Sequence, residues 1–314
     1  MSVYPESTPD TVKTNFALVE IFVEFKWYSV DFPFCPPDKD RNSFVCDTKK
    51  ANDALGQITA YAAAQLSSQF RTHAYSILIS HDTARILRWD RSGTIVTEPI
   101  AYNKSPHLVE FFRRYSKAPP AMHGKDETVS RPTPAEEERA RNALDLDKTA
   151  SLVRLSIPCA DGNDRYFITP TPEATLYTPP GRATRGFRAY DIARQELVFL
   201  KDSRKINLPD ISPGGEVYMI LNTAQVSNVP TCLVSNDIST AEYHATKADH
   251  YATASWACRL NTLVPHRHYR LILDVIGLVV VNFKSSYEMV ATVRNGLIGE
   301  VLKCSWTMLM CNID

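Results

Sequence analysis

Two glycines and a lysine have the spacing of a phosphate-binding loop. Gly181 and Gly186 lie five residues apart in a polar stretch, and Lys201 ends a short apolar run that follows. Glycine lets backbone N–H groups approach phosphate oxygens, and a lysine on the next strand can reach the same oxygens. Glycines in turns and lysines at strand ends are common, so these residues need further support to predict a phosphate site.

A glutamate at the start of a predicted helix supplies that support. Glu216 follows Lys201 by fifteen residues, in the first turn of a helix predicted over 215–224. In a protein kinase a helix glutamate holds the strand lysine toward ATP. The helix dipole alone also favours a first-turn glutamate. The chain order of strands, one helix, two strands and one helix favours the ion pair.

A third constellation, near the N-terminus, points to metal-dependent hydrolysis. Asp10 follows a proline, Glu24 and Lys26 form an acid-x-lysine pair at the end of an apolar run, and Gln57 and Tyr61 share a predicted helix. Nucleases of the PD-(D/E)xK type arrange such residues around Mg²⁺, where the acids bind the metal and the lysine helps to activate water. The motif is short, and a half-buried strand with solvated ends explains it equally.

The elements that position these residues form two blocks. In the first, an apolar, β-branched run at 16–30 predicts a strand, and 52–69 has apolar residues at helical spacing with Asn52 or Asp53 as N-cap. Polar residues at 90–93 predict a hairpin turn. Further strands are predicted at 74–80, 83–89 and 94–100, and a helix at 106–116.

A stretch rich in Pro, Glu and Arg separates the blocks. Its Thr-Pro-Ala-Glu start predicts a helix over 133–144. We therefore predict an N-terminal domain at 1–125, a helical linker at 126–150 and a second domain at 151–314. The second block is predicted to contain strands at 152–157, 165–169, 187–192, 196–200, 231–234 and 269–276 and helices at 215–224 and 286–301. These elements predict an α+β fold.

Several long segments resemble the fungal-type protein kinase family. The second block carries GRATRGFRAYDIARQELVFLKDSR and HRHYRLILDVIGLVVVNFKSSYEMVATVRNGL, and the first is similar to the segment that the family carries ahead of its kinase domain. The similar segments are 64–120, 181–204, 210–221, 229–233 and 266–297, within an overall similarity over roughly 16–300. The resemblance therefore covers most of the chain.

The resemblance implies a mixed α/β N-terminal domain followed by a protein-kinase-like N-lobe. The acid-x-lysine constellation predicts, as one option, a PD-(D/E)xK nuclease-like fold for that N-terminal domain. It implies ATP and Mg²⁺ as cofactors and phosphoryl transfer to Ser or Thr of a protein substrate. The implied ATP-site residues are Gly181 and Gly186 over the phosphates, Lys201 with its partner Glu216, and Leu273 and Val275 near the adenine hinge.

The chain departs from the family at two places. Its glycine loop has two glycines where a common kinase loop has three. After Val301 it reads LKCSWTMLMCNID instead of continuing into a His-Arg-Asp catalytic loop and a metal-binding Asp. His266-Arg267-His268 is a strand edge on this reading, because it lacks the aspartate. We therefore expect a truncated, inactive, pseudokinase-like chain that self-associates through exposed apolar surface, with a purely partner-docking module as the alternative.

Composition narrows the remaining classes. Thirty-five basic and thirty-five acidic residues give no net charge, so neither nucleic acid nor an anionic membrane is expected as a partner. The seven cysteines are odd in number and form no CxxC pair, which argues against a disulfide framework or a zinc knuckle. The histidines show no metal-ligand spacing, and the four tryptophans are predicted in the core. We expect a soluble intracellular protein, cytoplasmic or nuclear.

Overall fold

The first part of the chain forms a five-stranded sheet with a helix on each face. Its strands lie side by side in chain order. Helix α1 joins the parallel pair, β2 and β3, and the other neighbouring pairs are antiparallel. The elements are β1 (Ser2–Val3), β2 (Ile21–Phe25), α1 (Lys49–Ser68), β3 (Ala74–Ile79), β4 (Ala84–Trp89), β5 (Thr94–Val96) and α2 (His107–Lys117).

This description comes from a computed structural model. It covers residues 1–6, 8, 15–35, 44–159, 161–172, 178–238, 242–258, 263–277 and 283–304, with the backbone alone for 29, 243 and 296–304. Within them, no helix combines the length and the apolar character needed to cross a membrane.

Alternating burial explains the two helix layers. Phe22 and Leu78 on one face of the sheet pack with Ile58 and Leu66 of α1. On the other face a second cluster, which includes Ile77, packs against Phe111 and neighbouring residues of α2. Each helix thus covers one face of the sheet. Both faces carry apolar side chains because successive residues of a strand point to opposite sides.

Two predicted boundaries in this part were wrong. The strand expected over 16–30 is limited to Ile21–Phe25, because only these residues pair with neighbouring strands. Helix α1 begins at Lys49 rather than at 52, since Thr48 is the N-cap and its Oγ1 accepts a hydrogen bond from Ala51 N. The turn at 90–93 is confirmed: Asp90 N donates to Gly93 O.

The second part forms a seven-stranded antiparallel sheet. The spatial order is β11-β12-β10-β9-β8-β7-β6, and helix α4 lies between β10 and β11 in the chain. The elements are β6 (Val129–Ser130), α3 (Pro134–Leu144), β7 (Leu152–Pro158), β8 (Asp164–Pro170), β9 (Arg185–Asp191), β10 (Glu196–Ile206), α4 (Gly214–Thr223), β11 (Cys232–Asp237), β12 (His266–Leu273) and α5 (Ser286–Cys304).

The segment predicted as a helical linker packs onto this second sheet. Strand β6 pairs with β7, and Ala140 and Leu144 of α3 are buried against Ile168 and Tyr190. The helix starts with the predicted capping box, in which Thr133 is the N-cap. Residues 126–150 are therefore structurally part of the second sheet's packing.

Two composition-based predictions need correction. Cys35 and Cys46 form a disulfide, although no disulfide was expected from the cysteine count. Of the tryptophans predicted in the core, Trp89 is buried, but Trp27 and Trp256 are 61% and 56% exposed. The disulfide pairing depends on the close approach of the two chain segments, which cysteine counting does not reveal.

Candidate functional site

Lys201 lies near the middle of the second sheet, on the face that carries α4. It is opposite Gly186 of β9 on one side and Leu271 of β12 on the other. Leu271 belongs to the cluster against which Tyr218 of α4 packs. Since residues directly opposite in antiparallel strands share a face, Lys201 and α4 lie on the same side. The structure thus brings together Lys201, Gly186 and the helix that bears Glu216.

Gly186 has a packing role that the sequence did not reveal. A Cβ at this position would lie 2.7 Å from Cζ of Phe199, so the Phe199 ring covers the backbone of Gly186. Gly181 has φ +111°, a conformation that favours glycine, and its N–H donates to Arg91 O over 2.8 Å. Close packing thus favours glycine at position 186, and backbone conformation favours it at position 181. The Gly181 amide also contacts the β4–β5 turn of the first sheet.

The ion pair expected between Lys201 and Glu216 is not formed. Glu216 is exposed in the first turn of α4, and no salt bridge joins its carboxylate to Lys201 in the described part of the chain. Burial, and secondarily the positive charge of Arg182, lower the pKa of Lys201. Two cations near each other on a half-buried surface make this region favourable for an anion.

The two hinge residues differ in exposure. Leu273 ends β12 and is buried against Phe199 and Tyr218, whereas Val275 is 53% exposed. Strand β12 begins at His266, as the reading of residues 266–268 as a strand edge required, but His268 is 1% exposed and deeply buried. His268 is thus a core residue.

The acid-lysine-glutamine-tyrosine constellation of the first part is assembled in space. Lys26 Nζ lies 2.9 Å from Glu24 Oε1 and donates to Gln57 Oε1 over 2.7 Å. Gln57 Nε2 in turn donates to Tyr61 OH over 2.8 Å. The Lys26 and Glu24 side chains are 19% and 15% exposed, so both are reachable from solvent. Asp10, the remaining predicted metal ligand, lies outside the described residues.

This constellation lies at the carboxyl end of a parallel strand. Lys26 directly follows β2, and its backbone N–H donates to Ile79 O at the end of β3. Two exposed aromatic residues follow at once: Trp27, whose ring lies edge-on to His81 at 4.6 Å, and Tyr28. A carboxylate, a lysine and exposed rings are thus presented together.

Sequence reasoning missed a buried charged network between the two sheets. Arg270 of β12 donates from Nε to Asp202 Oδ1 and from Nη2 to Asp126 Oδ2, each over 2.8 Å. His268 Nε2 lies 2.5 Å from Asp202 Oδ1, and its Nδ1 lies 3.1 Å from Nδ1 of His244. All five residues are more than nine-tenths buried. No sequence motif predicts the network, because its members lie far apart in the sequence.

Electrostatics explain the protonation states in this network. Burial opposes ionisation of Asp126, but Arg270 and the two histidines hold its pKa at about 2. Burial, followed by the charge of Arg204, lowers the pKa of His268 to about 3. Burial likewise lowers the pKa of His244 to about 4. The carboxylates are therefore charged and the histidines neutral near pH 7.

Three of these residues meet the distance requirement for a metal site. Ligand atoms of Asp126, His244 and His268 lie within 4.8 Å of one another. Both oxygens of Asp126 already accept hydrogen bonds, Oδ2 from Arg270 and Oδ1 from Thr128. The positive charge of Arg270 beside the group disfavours a cation, so we describe it as an ion-pair network.

No protein-family model, curated protein or solved structure matches the chain. The resemblance to fungal-type protein kinases therefore stays a prediction.

Proposed function

We propose that the second part of the chain, from β7 to α5, is a protein-kinase-like N-lobe that binds ATP with Mg²⁺. The observation that carries this proposal is the register of β9, β10 and β12, which places Lys201 opposite Gly186 on the face covered by α4. The chain order of strand, strand, helix, two strands and helix is the one expected for such a lobe. The phosphates would contact Lys201 and the loop before β9.

The local charges support an anionic ligand at this place. Burial and the nearby Arg182 lower the pKa of Lys201, and the triphosphate of a nucleotide would offset both effects. Glu216 makes no ion pair with Lys201, so the arrangement resembles a kinase lobe before the lysine and helix are brought together. Nucleotide binding would then draw the Lys201 ammonium toward the phosphates.

We propose that this chain alone binds nucleotide without transferring phosphate. Phosphoryl transfer requires a carboxylate that orients the acceptor hydroxyl and further ligands for Mg²⁺. The 314-residue sequence contains no His-Arg-Asp triplet to provide them in kinase order. These residues would then bind the phosphates of ATP, and the chain would act by binding a protein partner.

Nucleotide titration of a matched pair of variants tests the proposal. Lys201→Met should weaken Mg-ATP binding at least tenfold, measured by isothermal titration calorimetry. Lys205→Met is the control, because Lys205 lies on the same strand and is paired with Asp237 at 2.8 Å. Absence of binding by the wild-type chain at millimolar Mg-ATP, or equal affinity of both variants, would contradict the proposal.

A second candidate function is favoured by one observation, the hydrogen-bonded chain Glu24–Lys26–Gln57–Tyr61. We propose it as a PD-(D/E)xK-like site for metal-dependent cleavage of a phosphodiester, in which Glu24 would hold the metal and Lys26 would help to activate water. Exposed Trp27 and Tyr28 beside it could stack on bases.

Cleavage assays decide between this candidate and a structural role. Mg²⁺- or Mn²⁺-dependent cleavage of single- and double-stranded DNA should be lost in Glu24→Gln and in Lys26→Met. Lys50→Met, an exposed lysine on the same helix as Gln57, is the control. If the wild-type chain cleaves nothing while both variants lose stability, the constellation is a packing feature.

A further inference from the structure

Two buried arginines and one half-buried arginine line one small cavity at the junction of the two sheets. Arg91 comes from the β4–β5 turn, Arg185 from β9 and Arg204 from β10. The side chains of Arg91 and Arg204 belong to residues that are 2% and 8% exposed. Burial lowers the pKa of Arg91, and the positive charges of Arg204 and Arg185 lower it further. The cavity is thus surrounded by concentrated positive charge.

The neighbouring carboxylates Asp126 and Asp202 attract Arg185 and Arg204, but neither forms an ion pair with any of the three guanidinium groups. The two carboxylates that line the cavity, those of Asp126 and Asp202, form ion pairs with Arg270. In the described part of the chain no carboxylate oxygen lies within the 4.0 Å ion-pair limit of Arg91, Arg185 or Arg204. Buried charges are normally paired, so this excess calls for a counter-charge.

Two donors of the cluster also lack acceptors among the described residues. Arg91 donates from Nη1 to Pro179 O and from Nη2 to Leu66 O, but its buried Nε has no acceptor. Arg204 donates from Nη2 to Arg71 O, and its buried Nη1 has none. Both side chains line the same cavity. Buried donors of this kind usually have a partner, protein or otherwise.

The size of the cavity limits what that partner can be. Its volume of about 10 Å³ is the space of one water-sized sphere. A tetrahedral oxyanion is too large, whereas chloride is only slightly larger than water and fits after a small outward shift of the arginine side chains. Its charge would offset the excess of arginines over carboxylates among the lining residues. We infer that the cavity binds a single small monovalent anion, chloride, between Arg91, Arg185 and Arg204. This site is independent of both proposed functions.

The anion would stabilise the contact between the two sheets. Arg91 accepts from Gly181 N through its backbone oxygen, and Arg204 N donates to Arg182 O over 2.7 Å. Arg185 Nη2 donates to Leu66 O in the last turn of α1 over 2.6 Å. A shared anion would hold together the β4–β5 turn, the loop before β9 and the end of α1.

Thermal unfolding at constant ionic strength tests the inference. Sodium chloride is exchanged stepwise for sodium gluconate, whose anion is too large for the cavity, with the full 314-residue chain. The Tm should rise with chloride and saturate, as binding to the folded state alone requires. Arg204→Met should abolish the saturable rise, whereas Arg188→Met, an exposed arginine of β9, should keep it.

Bromide substitution provides a readout that needs no variant. Crystals of the wild-type chain soaked in sodium bromide should show an anomalous peak between the three guanidinium groups. A Tm that does not depend on chloride, a rise that persists in Arg204→Met, or density that fits only water in bromide-soaked crystals would each overturn the inference.

Discussion

The ring of Phe199 lies over the backbone of Gly186, one strand away. A Cβ at position 186 would come within 2.7 Å of Phe199 Cζ and 3.1 Å of Cε2. A side chain at position 186 would therefore require the Phe199 ring to move, whether or not phosphate binds above it.

Gly186→Ala is expected to destabilise the protein by about 1–3 kcal/mol, the usual cost of overpacking. Denaturant unfolding measures the loss, and Gly186→Ala combined with Phe199→Leu should recover part of it. Gly56→Ala is the matched control: nothing lies within 4 Å of a Cβ there, in the interior of α1, so stability should rise by about 0.5–1 kcal/mol. Equal effects of the two single substitutions would refute the packing role.

Arg185 links the second sheet to the end of α1. Its Nη2 donates to the carbonyl oxygens of Leu66, Ser67 and Gln69, and its guanidinium carbon lies 5.2 Å from the ring centroid of Phe70. Arg185→Met should cost about 1.5–3 kcal/mol in the free energy of unfolding, because charge-assisted bonds to carbonyls that lack intrahelical partners are lost. Arg188→Met serves as the exposed control, and an equal loss there would argue against this role.

Arg270 forms ion pairs with two buried carboxylates, Asp126 and Asp202. Arg270→Met should destabilise by about 3–5 kcal/mol, since it leaves both charges buried and uncompensated. Arg113→Ala, which removes an exposed pair with Glu110, should change stability by no more than about 1 kcal/mol. Denaturant titration of both variants at pH 7 checks the contrast, and comparable losses would contradict it.

Stability should fall as the medium is acidified from pH 6.5 to 4. Burial lowers the pKa of His73 and His268 to about 3 and that of His244 to about 4, from an ordinary value of 6.5. In this window the unfolded chain binds more protons than the folded one. The histidine contribution is therefore complete above pH 6.5 and declines below it, by up to about 1.4 kcal/mol per pH unit for each histidine.

Denaturant unfolding at several pH values measures this slope. His73→Gln should reduce the slope by the share of one histidine, even if it also lowers stability at pH 7. His81→Gln, at an exposed surface position, is the control and should leave the slope unchanged. A wild-type stability that does not change between pH 6.5 and 4 would show that these histidines are not buried in their neutral form.

Local signals in the sequence determined much of the second sheet's layout. The capping box at Thr133 and the helix that begins at Gly214 were predicted within one residue. The acid-lysine pair and Gln57 were also grouped correctly before their contacts were known. These signals succeed because capping and amphipathic spacing depend on residues within a few positions of each other.

Only the tertiary structure showed which charged side chains are buried and which packing contact favours glycine at position 186. Arg91, Arg204 and Arg270 carry no sequence pattern, yet they form hydrogen bonds between the two sheets with residues 88, 133 and 144 positions away, respectively. Phe199 explains Gly186 only through strand register. The physical reason is that sequence patterns encode the burial of a local face, whereas a buried charge is defined by whichever distant segments happen to surround it.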